Sequence, residues 1–108
     1  MAQDKPLSPE TIEAVQLLGD KIALARRERR WTLTELAERT GVSPVTASKV
    51  EKGDPSVAVG TVFETATLLG VPLFHHDPVR RSLEGEIIQS RLALLPETVR
   101  SRRVNDDF

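Results

Sequence analysis

Apolar residues recur at intervals of three and four through most of this chain, and short breaks rich in Gly, Pro, Ser and Asp separate the runs. No apolar–polar alternation lasts more than a few residues, so the pattern predicts helices and no sheet. The first helix opens at Leu7-Ser8-Pro9: Ser8 is the cap, Pro9 fits the first helical position, and Leu7 can staple onto Ile12. Ile12, Val15, Leu18, Ile22 and Ala25 form its inward stripe. The basic run Arg26-Arg27-Glu28-Arg29-Arg30 closes it at the negative end of the helix dipole. The second helix starts at Thr32-Leu33-Thr34-Glu35, a capping box flanked by Trp31 and Leu36 as a hydrophobic staple, and Gly41 ends it in the left-handed conformation. Ser43 caps a third helix with Pro44 in its first turn and Ala47 and Val50 pointing inward, ending near Lys52-Gly53.

Beyond the Asp54-Pro55-Ser56 loop, a fourth helix over 59–69 turns Val62, Phe63, Ala66 and Leu69 inward and stops at Gly70. Val71-Pro72-Leu73-Phe74 begins another short turn or helix that closes the core. Asp77-Pro78 starts a longer helix with Val79, Leu83, Ile87, Leu92 and Leu95 on or near one stripe. Gly85 inside it costs about 1 kcal/mol relative to alanine, and Pro96 stops it. Residues 97–108 are expected to form a flexible tail.

Composition narrows the function. The chain has 108 residues, room for one domain with a modest core. It has no cysteine, which excludes disulfides, thiolate catalysis and cysteine zinc sites. No apolar run is long enough for a membrane span, and the polar start, with its acidic members, does not read as a signal peptide. No Gly-rich phosphate loop or nucleophile motif stands out, so neither an enzyme nor a cofactor is expected. His75-His76-Asp77 makes a poor metal site, because adjacent histidines point apart and Asp77 already serves as a cap. The net charge of −1 hides alternating blocks: −3 over residues 1–20, +4 over 21–52, −3 over 53–77 and +3 over 78–103. Local field matters more than total charge for steering a polyanion.

Residues 33–52 pair two short helices across a tight glycine turn, the helix-turn-helix pattern. Ala37 must be small where the second helix crosses it. Leu36, Val42, Ala47 and Val50 anchor the pair, which leaves Pro44, Val45, Thr46, Ser48 and Lys49 on the outer face. Residues 16–74 resemble the small DNA-binding domain of phage repressors and their bacterial relatives, the Xre type. The resemblance lies in Leu33-Thr34-Glu35-Leu36-Ala37, Gly41-Val42-Ser43, Ser48-Lys49-Val50-Glu51-Lys52-Gly53 and Leu69-Gly70-Val71.

It implies an all-α fold: a five-helix repressor-like domain over 1–76, then a C-terminal helix over 77–96 and the short tail. It also implies a dimer whose third helices enter the major groove of a palindromic duplex at half-sites ~34 Å apart. By the same resemblance, Val45, Thr46 and Lys49 read base edges, Ser43 and Pro44 lie near bases and backbone, and Thr32 and Thr34 meet phosphate. Lys52 and Ser56 flank a loop that touches the other strand. Arg26 pairs with Glu51 as a brace. The family often has glutamine where Pro44 and Val45 stand; neither can bond adenine, so readout passes to Thr46, Lys49 and DNA shape.

A narrower resemblance, to HipB-like antitoxins that act with HipA-like kinase toxins, rests on three features. They are the Asp54-Pro55-Ser56 loop, the Val71–Phe74 segment, and a chain end of Leu94-Leu95-Pro96, a basic stretch and Asp106-Asp107-Phe108. It implies a cytoplasmic, nucleoid-associated repressor that binds its own operator and a kinase partner. Leu83, Ile87, Leu92 and Leu95 would then form a dimer seam or partner contact, with Phe108 as an anchor. The alternative is a stand-alone regulator of the Xre type.

Overall fold

A computed structural model describes residues 5–99. Among them are five helices and no strand: α1 Pro9–Glu28, α2 Leu33–Thr40, α3 Pro44–Glu51, α4 Val59–Leu68 and α5 Pro78–Ala93. The all-α expectation holds. Contacts divide the chain after Leu73, and the two units are described separately.

The helix starts follow their caps. Ser8 Oγ accepts from the Thr11 amide at 3.2 Å, and Ser43 Oγ accepts from the Thr46 amide at 3.1 Å. In the capping box, Thr32 Oγ1 accepts from the Glu35 amide at 3.0 Å and Glu35 Oε1 accepts from the Thr32 amide at 2.7 Å. Among the described helices, only α4 begins without a side-chain cap, at Ala58.

Four of the five described helices, α1 to α4, end on one device. A residue with positive φ donates to the carbonyl three back, and the next residue donates to the carbonyl five back. The two bonds satisfy carbonyls the helix would otherwise leave orphaned. The pairs are Arg30 and Trp31 on α1 (3.0 and 3.2 Å), Gly41 and Val42 on α2 (3.3 and 3.0 Å), Gly53 and Asp54 on α3 (3.1 and 3.0 Å), and Gly70 and Val71 on α4 (3.1 and 2.9 Å). Three of the four turning residues are glycine; the fourth, Arg30, holds φ 61° at a cost of about 1–2 kcal/mol for a residue with a Cβ.

In the first unit the core is small and aliphatic: Ile22, Leu36, Ala37, Ala47, Val50, Ala66, Leu69 and Val71. Leu18, Ala25, Trp31, Leu33, Val42, Val57, Val62 and Leu73 pack around it. α3 packs on α1 and α2, and α4 packs on α2. Three expectations change. The α1 stripe begins later than the pattern suggested, since Ile12 is 41% exposed. Phe63 lies at the rim rather than inside. Val71–Phe74 forms no helix: Val71 and Leu73 still reach the core, but from an irregular segment and a bend.

In the second unit α5 runs unbroken through Gly85 and ends at Ala93, short of Pro96, because a residue preceding proline avoids helical ψ. None of its residues is buried. The single stripe expected there is two ridges. At ~100° per residue, Val79, Leu83 and Ile87 follow one line, while Ile88 and Leu92 follow another well round the helix. Shallow surface grooves run along the second ridge, one beside Gly85 and Ile88 and one beside Leu92, Leu95 and Val99. The tail beyond Val99, with Phe108, lies outside the described residues.

Candidate nucleic-acid interface

The position of α3 is set by what lies beneath it. Ala37 of α2 and Ala47 of α3 are each 1% exposed, and small side chains there let the two helices close on each other. On the other side α1 crosses the end of α3. A β-carbon on Gly19 would meet the Val50 and Glu51 carbonyl oxygens at 2.7 Å, and one on Gly53 would meet the Gln16 Cα at 2.6 Å. Two glycines thus bring the backbones of α1 and the α3 terminus into contact. Gly19 was missed in reading the sequence, although a glycine mid-helix is itself a signal, since it costs about 1 kcal/mol unless close packing requires it.

A charged clamp reinforces this crossing. Arg26 Nε lies 2.5 Å from Glu51 Oε2, Nη2 donates to Oε1 at 3.0 Å, and Nη1 donates to the Trp31 carbonyl at 2.9 Å. Both side chains are about a tenth exposed. The Glu51 carboxylate, through this hydrogen bonding, raises the Arg26 pKa further above its ordinary value, against the opposing effect of burial. One arginine therefore joins α1, the turn before α2, and the last residue of α3.

With Ala47 and Val50 buried, α3 turns Pro44, Val45 and Lys49 to solvent, and Val45 is 65% exposed. Thr46 and Ser48, expected on the free face, are half-buried. Thr46 is also tied down: its hydroxyl accepts from Ser43 Oγ at 3.1 Å within the α3 cap. The free face of α3 is therefore an apolar first turn followed by a lysine. Thr32 and Thr34 are exposed at the start of α2, where the Leu33 and Thr34 amides have no acceptor among the described residues.

Lys52 and Ser56 are exposed on either side of the following loop. Ser56 is engaged: its amide and its hydroxyl donate to Asp54 Oδ1 at 2.8 and 2.7 Å. The Ser56 hydroxyl bond, then the amide bond, holds the Asp54 carboxyl below the ordinary aspartate range, with a small further push from Lys49. Ser56 thus sits beside a carboxylate rather than standing free to meet an anion.

Trp31 has a role the pattern only half disclosed. It packs on the core, as a staple should, and it also carries the Arg39 guanidinium 4.2 Å and the Arg29 guanidinium 5.5 Å from its ring centre. In the second unit, Leu83, Ile87, Leu92 and Leu95 are all more than half exposed. His75 and His76 stack at 4.5 Å, His75 Nδ1 accepts from the Asp77 amide, and Asp77 caps α5. No cluster of three candidate metal ligands occurs among the described residues, and no helix is long and apolar enough to cross a membrane.

Residues 22–75, half of the chain, match a family model described as Helix-turn-helix. The chain is also similar to the HTH-type transcriptional regulator SutR of Escherichia coli (strain K12), with 37% identity over 57 residues. The match takes in 53% of this chain but 32% of that protein, so the chain spans about a third of the relative's length. No solved structure matches.

Proposed function

The chain belongs to the helix-turn-helix family, and from that membership we propose that it is a DNA-binding transcription regulator whose α3 enters the major groove. The observation that carries this reading is the seating of α3. Ala47 and Val50 are buried and Glu51 is clamped, so Pro44, Val45 and Lys49 are held outward on a rigid support. In this reading Lys49 bonds a base edge and Val45 meets a thymine methyl or a sugar. Ser43, Thr46 and Ser48 line the edge of the contact. The Thr32 and Thr34 hydroxyls and the Leu33 and Thr34 amides offer donors to one phosphate backbone, and Lys52 approaches the other strand, with Ser56 at the loop edge held by Asp54. The mechanism is steric repression by occupancy, with no catalytic step and no cofactor.

Two copies would span half-sites on a palindromic operator, ~34 Å apart. The uncovered ridges of α5 support a homodimer seam through Leu83 and Ile87 or through Leu92 and Leu95. The test of the whole reading is fluorescence anisotropy on the duplex upstream of the gene, against a scrambled duplex, at two salt concentrations. A preference of ~10³ or more with a steep salt slope supports it. Equal binding to both duplexes removes the sequence-specific part.

A second, finer reading makes the protein the antitoxin of a HipA-like kinase. Its support is the resemblance in Asp54-Pro55-Ser56 and Val71–Phe74, together with exposed apolar residues on α5 that a partner would cover. The similarity to SutR, a transcriptional regulator, supports the part common to both readings; the alternative is a stand-alone regulator with no kinase partner. Co-expression with a kinase encoded beside this gene separates them: a stable complex with suppressed kinase activity supports the antitoxin, and separate elution supports the regulator alone.

A further inference from the structure

Four helices end with the same pair of backbone bonds, and three of them place glycine at the left-handed position. The fourth places Arg30 there, at φ 61°. Among the described residues no contact offsets this choice. Arg30 is exposed, and it makes no side-chain hydrogen bond, ion pair or ring contact among the described residues. Two other arginines of the same basic run are engaged: Arg26 clamps Glu51, and Arg29 lies against Trp31, as Arg39 of α2 does; Arg27, like Arg30, is exposed, but it sits within the helix at no strained position. The left-handed turn puts Arg30 two residues before Thr32, at the entrance to α2, where the Leu33 and Thr34 amides also lack acceptors among the described residues. Backbone strain retained without a local contact to offset it marks a side chain needed for something outside the chain.

We propose that Arg30 is a DNA phosphate contact, kept at a glycine position because its guanidinium closes on the backbone beside the start of α2. This rests on the DNA-binding reading above and adds to it a residue outside the helix-turn-helix pair. A guanidinium matches a phosphate with two parallel N–H donors, and it stays charged at any working pH. The contact is sequence-independent, so it adds affinity and salt dependence without altering operator choice.

The substitution that removes the contact also relieves the strain, which separates binding from folding. Arg30→Gly should raise Tm by roughly 4–8 °C. It should weaken binding to a 24-base-pair duplex of mixed sequence, measured by anisotropy at about 50 mM salt, by roughly threefold to tenfold. The slope of log affinity against log salt should fall by about one. Arg30→Lys keeps the charge and should keep that slope. Arg30→Gly with wild-type affinity and an unchanged slope would overturn the proposal and leave Arg30 an unfavourable helix terminator. Failure of the wild-type protein to bind any duplex would instead remove the DNA-binding reading, and this inference with it.

Discussion

Gly19 faces the carbonyl oxygen of Glu51 so closely that a β-carbon on it would stand 2.7 Å away. The same β-carbon would press on the Val50 carbonyl and come within 3.0 Å of the Gly53 amide nitrogen, all of it backbone that cannot rotate aside. Gly19→Ala therefore forces α1 off the end of α3. Alanine favours a helix by about 1 kcal/mol over glycine, so helix propensity alone would stabilise the variant. We expect the opposite, a net loss of about 1–3 kcal/mol, read from the urea midpoint at unchanged m-value. A stabilised variant would show that the crossing is looser than described.

The Arg26–Glu51 pair should behave as a structural clamp. Glu51→Ala strands a mostly buried guanidinium, and Arg26→Ala strands the carboxylate. Each should cost about 2–4 kcal/mol, below the fully buried extreme because a tenth of each side chain still meets water. The double variant should recover part of the loss, giving a favourable coupling energy in a double-mutant cycle. An unaltered Tm in Glu51→Ala would refute the clamp.

On operator DNA, Lys49→Ala should lose about 1–3 kcal/mol and relax the preference at one base position if Lys49 bonds a guanine. Anisotropy on the operator and on a set of single-base variants reads both effects. A small loss, equal on every duplex, would place Lys49 on phosphate instead.

The Asp54–Ser56 turn carries a pH dependence whose sign follows from its cause. Ser56 holds the Asp54 pKa below the unfolded value, so the turn gains its stabilisation above the ordinary aspartate pKa and loses it as pH falls through the depressed one. The Ser56 amide resonance should titrate at that lower midpoint, and Ser56→Ala should move the Asp54 midpoint up. A midpoint insensitive to Ser56→Ala would assign the shift to another group.

Much of the fold was legible because it is written over short spans. Ser8, Thr32–Glu35, Ser43 and Asp77 each cap a helix through bonds within three residues, and Gly41, Gly53 and Gly70 end helices through bonds within five. Ala37, Ala47 and Val50 were readable as buried from spacing alone. The outer face of α3 was less legible. Thr46 and Ser48 differ from Val45 and Lys49 only in how far round an eight-residue helix they lie, and that angle depends on where α1 and α2 press. On α5 the pattern merged two ridges into one stripe, because spacings of three to five residues drift around a helix when no partner fixes which side faces inward.

By itself, then, the sequence determined where each described helix begins, how α1 to α4 stop, and that two of them form a helix-turn-helix pair. Those outcomes follow from hydrogen bonds and dihedral preferences between near neighbours. Only the tertiary structure decided that Gly19 and Gly53 bring α1 onto the end of α3, that Trp31 carries two arginines, and which side chains of α3 remain free. Gly19 and Gly53 stand 34 positions apart along the chain. Close packing couples such distant residues through excluded volume, and a linear pattern of polar and apolar positions carries no record of that distance.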